Sequence, residues 1–300
     1  MPGKTRGRVS KEPTRPPATR RRSMSHGRPA APHSSPGASQ ESTDDIHRLW
    51  DELADFGLSA THGACTHCMR TICNWIGAQS AFWAGIVRVA QPKMGIRDLL
   101  SGWRIGAIDY VDPHRVTPQL KRAGLKDPET SEPGETSRAV IAGAGRFRVH
   151  SLGTGVVDMG SFQKTAHYDY FYRQRDIADR IWVAFPVNAS AESVFCFDTV
   201  GNGRTFTENE LQRAALALRG IKWFHRLLLL HHGLGIGATP LIPAERRVVP
   251  ELLSGASEKM IARRLKLTPA TVHQYATAIY RKYGVRGRNK FMSLWLHCRV

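Results

Sequence analysis

Residues 268–285, TPATVHQYATAIYRKYGV, restrict the possible fold more than any other part of the chain. Apolar side chains recur there at intervals of four, three and four positions, as on one side of a helix, at Val272, Ala276, Ile279 and Tyr283. Thr268 suits the N-cap, Pro269 suits the first turn, and Gly284 suits the end. The pattern therefore predicts one helix with defined limits and a single buried side.

The opposite side of this helix carries small and hydrogen-bonding side chains first and a cation afterwards. These residues are Ala270, His273, Gln274, Thr277 and Arg281. The preceding stretch, SEKMIARRL, predicts a shorter helix that begins after an N-cap at Ser257 and buries Ile261 and Leu265. Two short helices joined by a tight turn, the second with a polar free face, are typical of the helix-turn-helix.

A helix-turn-helix places the N-terminal end of its second helix against base edges in the major groove. Gln274 suits adenine, His273 can donate to guanine, and Thr277 or Ala270 can contact a thymine methyl group. The cations farther along suit phosphates. With the residues at the start of the helix, the predicted DNA-binding set is Thr268, Ala270, Thr271, His273, Gln274, Thr277, Arg281, Lys282, Arg286 and Arg288.

The charge distribution also indicates a polyanionic partner. Residues 1–40 hold nine lysine or arginine residues and one acidic residue, and residues 241–300 hold twelve and three. Residues 41–240 are nearly neutral. Basic segments at both ends favour nucleic acid or an anionic membrane surface. No C-terminal helix keeps a large apolar face once its core is formed, so we expect double-stranded DNA as the partner and no membrane.

The C-terminal segment resembles a LuxR-type helix-turn-helix over about 56 residues, 241–296. The resemblance is carried by Glu245, Leu252–Leu253, Gly255, IARRL (261–265), TVH (271–273), Ile279, RKYGV (281–285), Arg288 and the last apolar helix. The segment departs from the family pattern at Pro250, and at Met260 it replaces a frequent acidic residue. Together with FTENEL before the linker, TVHQYATAIYRKYGV resembles LuxR-type regulators with a GAF-like N-terminal domain. The resemblance implies a DNA-binding regulator.

The middle of the chain predicts an α+β domain, an antiparallel sheet with flanking helices, whose layout resembles GAF or PAS sensors. Helical spacing begins at Asp45, and a capping box at Thr207 opens a long helix over 208–231. Between them lie four strand-like runs, at 80–90, 101–111, 180–188 and 193–200, and the last two form a hairpin. Residues 112–145 predict a long loop, and residues 161–176 predict a helix.

Two residue groups in this domain admit a functional and a structural interpretation. Aromatic side chains at Trp103, Tyr168, Phe171, Tyr172 and Trp182 can line a pocket for a small-molecule ligand or simply form core. Asp169 and Asp176 are conjectural polar anchors for such a ligand. Cys65 and Cys68 form a C-x₂-C, which can begin a zinc site or act in redox sensing. They fall on an apolar stripe and no second C-x₂-C follows, so we expect core packing and no metal or other cofactor.

These patterns divide the chain into a disordered basic tail at 1–44, a sensor domain at 45–232, a linker at 233–240 and the helix-turn-helix domain at 241–300. Arg20–Arg22 can act as an arm on DNA, or the tail can be solvated without a function, or the start codon can be misplaced, with Met24 as the true start. No secretory signal, long apolar run or enzyme motif is found, so we expect a cytoplasmic protein that is not an enzyme.

The sequence therefore predicts a homodimeric, sequence-specific transcriptional regulator whose sensor domain modulates a C-terminal helix-turn-helix. Its three-glycine linker predicts a flexible joint, and the four leucines at Leu227–Leu230 suit a subunit interface. The alternative is a protein-interaction module that its basic ends anchor non-specifically to nucleic acid. Binding to a selected site, compared with random DNA at fixed salt, separates the two functions.

Overall fold

The structure is a computed structural model that describes residues 36–88, 98–112, 116–117, 133–201, 203–234 and 241–297, except for the side chains of 36–42. The described helices are α1 (Pro36–Asp55), α2 (Thr61–Ile76), α3 (Glu135–Ala142), α4 (Met159–Phe162), α5 (Ala166–Phe171), α6 (Glu208–Arg219), α7 (Lys222–His231), α8 (Pro243–Leu253), α9 (Glu258–Leu265), α10 (Pro269–Lys282) and α11 (Arg288–Leu296). Single 3₁₀ turns lie at Leu58–Ala60 and Arg173–Arg175. The strands are β1 (Ser80–Arg88), β2 (Trp103–Tyr110), β3 (Arg148–Ser151), β4 (Ile177–Asn188) and β5 (Ala191–Val200).

The five strands form one antiparallel sheet in the order β2-β1-β5-β4-β3. The hairpin of β4 and β5 confirms the predicted pairing of the last two strand-like runs. Side chains alternate between the two faces of a strand. On β4, accordingly, Ile181 and Val183 enter the core beneath α1, α2, α6 and α7, whereas Trp182 and Ala184 enter a second core on the other face, with Val140 of α3. The α+β architecture of the middle domain is thus confirmed.

The capping box at Thr207 forms as predicted, with its hydroxyl accepting from the amide of Glu210 and the Glu210 carboxylate accepting from the amide of Thr207. The helix that follows is not continuous to 231, because it stops at Arg219 and a new helix begins at Lys222. Gly220 marks this break, where the ring of Trp50 occupies the space that a side chain would need. The predicted single helix was therefore wrong.

Other boundaries also differ from the sequence-based expectations. Helix α1 begins at Pro36, so the structured chain extends into the predicted tail. The predicted loop at 112–145 contains α3, and the predicted helix at 161–176 is broken into α4, α5 and a 3₁₀ turn. Short turns capped by Asp158 and Thr165 side chains explain that break. The remainder of the tail, including Arg20–Arg22 and Met24, lies outside the described residues.

The four leucines at Leu227–Leu230 are buried within the monomer, each at most 3% exposed. They pack in the same core as α2 and the sheet, and this core continues into the C-terminal helices. The prediction that these leucines form a subunit interface was therefore wrong. Of the predicted linker, Gly233 and Leu234 are described and Leu234 is buried, while 235–240 lie outside the described residues.

Among the described residues, no helix has the length and apolar character needed to span a membrane.

Candidate nucleic-acid interface

The two helices of the predicted helix-turn-helix are α9 and α10, joined by Lys266 and Leu267. The hydroxyl of Ser257 accepts from the amide of Met260 and starts α9. Lys266 then adopts the left-handed conformation, with φ of 56°, and the amide of Leu267 donates to the carbonyl of Ala262 at 2.8 Å. This hydrogen bond closes the end of α9 and redirects the chain into α10.

Helix α10 begins where the sequence predicted it. The Thr268 hydroxyl accepts from the amide of Thr271 at 3.1 Å and also bonds the hydroxyl of Thr271 at 2.8 Å. Both threonines therefore have a structural role as the N-terminal cap. The buried side of α10 is formed by Val272, Ala276, Ile279 and Tyr283, as the spacing predicted. These residues pack against α8, α9 and the aromatic rings of α11.

The opposite side of α10 is exposed along its length. Its exposed residues are Ala270, His273, Gln274, Thr277 and Arg281. His273 and Gln274 are the two polar side chains that are predicted to contact bases. Of these two, His273 has a described contact, because its Nδ1 atom lies 3.2 Å from a carboxylate oxygen of Glu258. Both side chains are largely solvent-exposed, so the contact is weak and DNA can displace it. The small and polar residues lie toward the N-terminal end of the helix, and the cation lies farther along.

The four predicted phosphate-binding cations divide into two pairs. Arg281 and Arg286 are exposed. Lys282 instead directs its ammonium group to Glu245, with Nζ 2.7 Å from Oε2, and the two side chains are only 16% and 5% exposed. This ion pair joins α10 to α8. Lys282 therefore has a structural contact inside the domain, and its contact with phosphate stays a prediction.

Arg288, the other cation of this pair, also contacts the domain itself, and its contact with phosphate stays a prediction. Its guanidinium donates to the backbone carbonyls of Glu251, Leu252 and Ala256, at 3.1, 2.8 and 2.6 Å. These carbonyls lie at or just after the C-terminal end of α8, where a helix lacks internal donors and favours positive charge. Arg288 therefore stabilises the end of α8. Lys266 and Lys290 are also exposed, although the predicted DNA-binding set did not include them. In the sequence, their positive charge was the only sign that they could contact phosphate.

The five aromatic residues of the predicted ligand pocket come together on the second face of the sheet. Trp103 on β2 and Trp182 on β4 are each 6% exposed, Tyr172 is 1% exposed, and Tyr168 and Phe171 are half-buried beside them. Tyr168 and Tyr172 stack with ring centroids 5.7 Å apart. The sequence therefore identified residues that share one core, and the ligand itself remains a prediction.

A buried ion pair within this core was not predicted from the sequence. Arg180 on β4 donates two hydrogen bonds to Asp198 on β5, at 2.5 and 2.9 Å, and both side chains are at most 6% exposed. The guanidinium also lies 4.8 Å from the ring of Tyr172 and 4.9 Å from that of Phe82. The sequence did not reveal this pair because Arg180 and Asp198 come together only through the register of β4 with β5.

Neutral polar groups border this ion pair. The Tyr172 hydroxyl donates to Thr136 at 3.2 Å, and Nε2 of His167 lies 3.2 Å from the same Thr136 oxygen. Burial, together with the charge of Arg180, lowers the pKa of His167 to about 4, so the imidazole is neutral near pH 7. Of the two conjectural anchors, Asp169 instead pairs with Arg173 at the surface and Asp176 is exposed.

Cys65 and Cys68 are both fully buried on the inward side of α2. Burial raises the pKa of both thiols, as expected for cysteines packed among apolar side chains. The structure therefore places these residues in core packing. Among the described residues, no group of three or more histidine, cysteine or acidic side chains is arranged to hold a metal ion.

Comparison with known proteins locates the C-terminal domain in a family. Residues 239–294 match the GerE family, described as bacterial regulatory proteins of the luxR family. Over 56 residues the chain is 41% identical to the probable HTH-type transcriptional regulator GfsR of Streptomyces halstedii. The matched segment is 19% of this chain and 23% of that protein, so it spans less than a quarter of the relative.

Two solved structures are similar to the chain at low sequence identity. The VqsR LBD domain from Pseudomonas aeruginosa is 12% identical, with a TM-score of 0.40 over 64% of this chain and 96% of that one. SdiA in complex with octanoyl-rac-glycerol is 10% identical, with a TM-score of 0.37 over 89% of this chain and 96% of that one. The geometry of α9 and α10 and the sequence match together identify residues 239–294 as a LuxR-family helix-turn-helix domain.

Proposed function

We propose that this chain is a cytoplasmic transcriptional regulator that binds double-stranded DNA sequence-specifically through α10. The observation that supports this proposal best is the exposed side of α10, which presents small and hydrogen-bonding residues at its N-terminal end and a cation farther along. This order suits a helix whose first turns face base edges while its later turns approach the phosphate backbone.

Each exposed residue has a defined role in this proposal. Gln274 bonds N6 and N7 of adenine, His273 donates to guanine, and Ala270 or Thr277 contacts a thymine methyl group. Arg281 and Arg286 position the domain on phosphates. The Thr268–Thr271 cap fixes the start of α10 and hence the direction in which Gln274 points. Lys282 and Arg288 support the domain from within.

The sensor part of the proposal concerns the second face of the sheet. Aromatic side chains from β2, β4 and α5 converge there around the Arg180–Asp198 ion pair, and such a mixture of apolar walls and a few fixed polar groups is typical of small-molecule sites. We propose that a small-molecule ligand acts on this face. A ligand changes DNA binding only if it favours one arrangement of the protein over another.

A homodimer is part of the proposal because one such domain buries little DNA surface, and two linked domains on two half-sites multiply the affinity. The four buried leucines no longer support a particular interface. Sedimentation of the full chain, alone and with DNA, measures its assembly. A chain that remains monomeric at concentrations where it occupies its DNA would contradict the homodimer.

Selection of bound sequences from a random DNA library by the full chain tests the function. We expect one enriched motif, with a dissociation constant at fixed salt at least a thousandfold lower than that for random DNA. The salt dependence on random DNA should reflect several phosphate contacts. Recovery of no motif, with equal affinity for all sequences, would favour the alternative of a protein-interaction module held non-specifically on nucleic acid.

A further inference from the structure

Strand β2 contains a bulge where it pairs with β1. The register runs from Gly85 opposite Ala107 to Ile86 opposite Ile105, so Gly106 has no partner residue on β1. A bulged residue leaves the ladder and its backbone groups become available for other contacts. Gly106 is thus a point of the sheet at which another part of the molecule can attach.

Leu234 occupies the space next to this bulge. The side chain lies against Gly85 and Gly106, and a methyl group added to Gly106 would lie 2.5 Å from Cδ2 of Leu234, with a still closer approach at Gly85. Real carbon atoms do not approach so closely, so the fit of Leu234 requires glycine on both strands. Leu234 is 2% exposed and directly precedes the undescribed residues 235–240.

The DNA-binding domain, which follows residues 235–240, also contacts the bulge at Gly106. The Arg246 guanidinium on α8 donates to the carbonyl of Gly106 at 3.3 Å and to that of Leu241 at 3.0 Å. The hydroxyl of Tyr283, at the C-terminal end of α10, donates to the carbonyl of Leu230 on α7. The bonds to Gly106 and Leu230 connect α8 and α10 directly to the sensor domain.

We propose that Gly85, Gly106, Leu234, Arg246 and Tyr283 form an interdomain latch that holds the DNA-binding domain in one orientation on the sensor domain. The exposed side of α10 remains open in this arrangement, so the latch acts by setting orientation and does not mask the recognition helix. This inference rests on the proposed function in one respect only, namely that orientation affects binding to paired DNA sites.

The latch also gives the sensor domain a physical connection to DNA binding. On β1 and β2 the residues next to the glycines, Ile86 and Ile105, pack into the second core, which includes Trp103. A displacement of these strands from that side moves Gly85 and Gly106, and therefore changes the fit of Leu234. Because a close-packed contact of this kind tolerates little adjustment, it either holds or opens.

A distance measurement between the two domains tests the latch without DNA. Spin labels would be attached at Gln212→Cys on α6 and Leu296→Cys on α11, both exposed, in a full chain carrying Cys298→Ser. The other four cysteines are buried and react slowly. We expect one narrow distance distribution for the latched chain. Leu234→Ala combined with Tyr283→Phe should broaden it or add a second population.

Two further variants keep this test decisive. Leu216→Ala removes a leucine that is 58% exposed and should leave the distribution narrow. If Leu234→Ala prevents folding, as judged by circular dichroism, Arg246→Gln with Tyr283→Phe removes the two polar contacts and leaves the core leucine in place. An unchanged narrow distribution in a folded variant that lacks both polar contacts would overturn the latch.

DNA titrations then separate the latch from the proposed function. The latch variants should bind a single half-site as the unaltered chain does, because the exposed side of α10 is intact. Their affinity for DNA with two half-sites should fall roughly tenfold, since the second binding event loses its fixed geometry. Equal affinity for the two-site DNA would overturn the role of the latch. A chain with no sequence preference would refute the function while the distances still decide the latch.

Discussion

Replacement of Arg288 by methionine distinguishes structural cations from DNA-binding ones. Methionine keeps much of the apolar side-chain stem but removes the donors to the carbonyls of Glu251, Leu252 and Ala256. A hydrogen bond from a charged donor contributes about 1.5–3 kcal/mol. The hydrogen bonds to these three carbonyls come from one half-buried guanidinium and are not additive, so we expect the domain to lose about 2 kcal/mol in all.

Hydrogen exchange of the full chain measures this loss locally. A decrease of about 2 kcal/mol in the free energy of opening corresponds to about 30-fold faster exchange of the protected amides of α8. Arg286→Met is the matched control, because Arg286 is exposed on the loop between α10 and α11. It should leave exchange unchanged and reduce the salt slope of DNA binding by about 0.9. If Arg288→Met instead left hydrogen exchange unchanged and reduced the salt slope of DNA binding, the structural role of Arg288 would be refuted.

Three other perturbations test the interior. Burial lowers the pKa of His225 to about 4. Between pH 6.5 and 4 this imidazole is therefore protonated more readily in the unfolded chain than in the folded chain. The free energy of unfolding should fall by roughly 3 kcal/mol over that range. Urea unfolding at both pH values checks this, and an equal pH dependence in His225→Leu would contradict it. Lys282→Met leaves the Glu245 carboxylate buried without its cation and should cost about 3 kcal/mol, with part recovered in the double variant with Glu245→Gln. Failure of the second change to recover stability, measured by urea unfolding, would oppose that account. Cys65→Ala with Cys68→Ala should cost roughly 2 kcal/mol in the same assay; bound metal that disappears in this variant would show that the thiols are ligands.

Local signals in the sequence predicted the C-terminal domain well. The cap at Thr268, the proline after it and the spacing of Val272, Ala276 and Ile279 act within one helix, so they fix its limits and its buried side. They also predicted which side of α10 is exposed. The roles of Lys282 and Arg288 could not be deduced in the same way. Their partners are 37 and about 36 residues away in the chain, and only the packed helices bring them together.

In the sensor domain, too, the sequence predicted local structure but not the contacts between distant residues. The alternation along β4 predicted a strand with Ile181 and Val183 on one face. The Arg180–Asp198 pair depends on strand register, which the sequence does not show. The four leucines of α7 were mistaken for an interface because apolar character does not reveal whether the covering surface comes from the same chain. The latch depends on the bulge at Gly106, another feature of register.

Base recognition by the exposed side of α10 is the central claim, and the specificity ratio tests it most directly. This ratio compares the affinity for a selected site with that for random DNA at one salt concentration. Gln274→Ala should lower the ratio by about 5- to 150-fold, equivalent to 1–3 kcal/mol, and leave binding to random DNA nearly unchanged. Arg281→Ala should weaken both affinities alike and preserve the ratio. If Gln274→Ala weakened both affinities equally, base recognition through α10 would be contradicted.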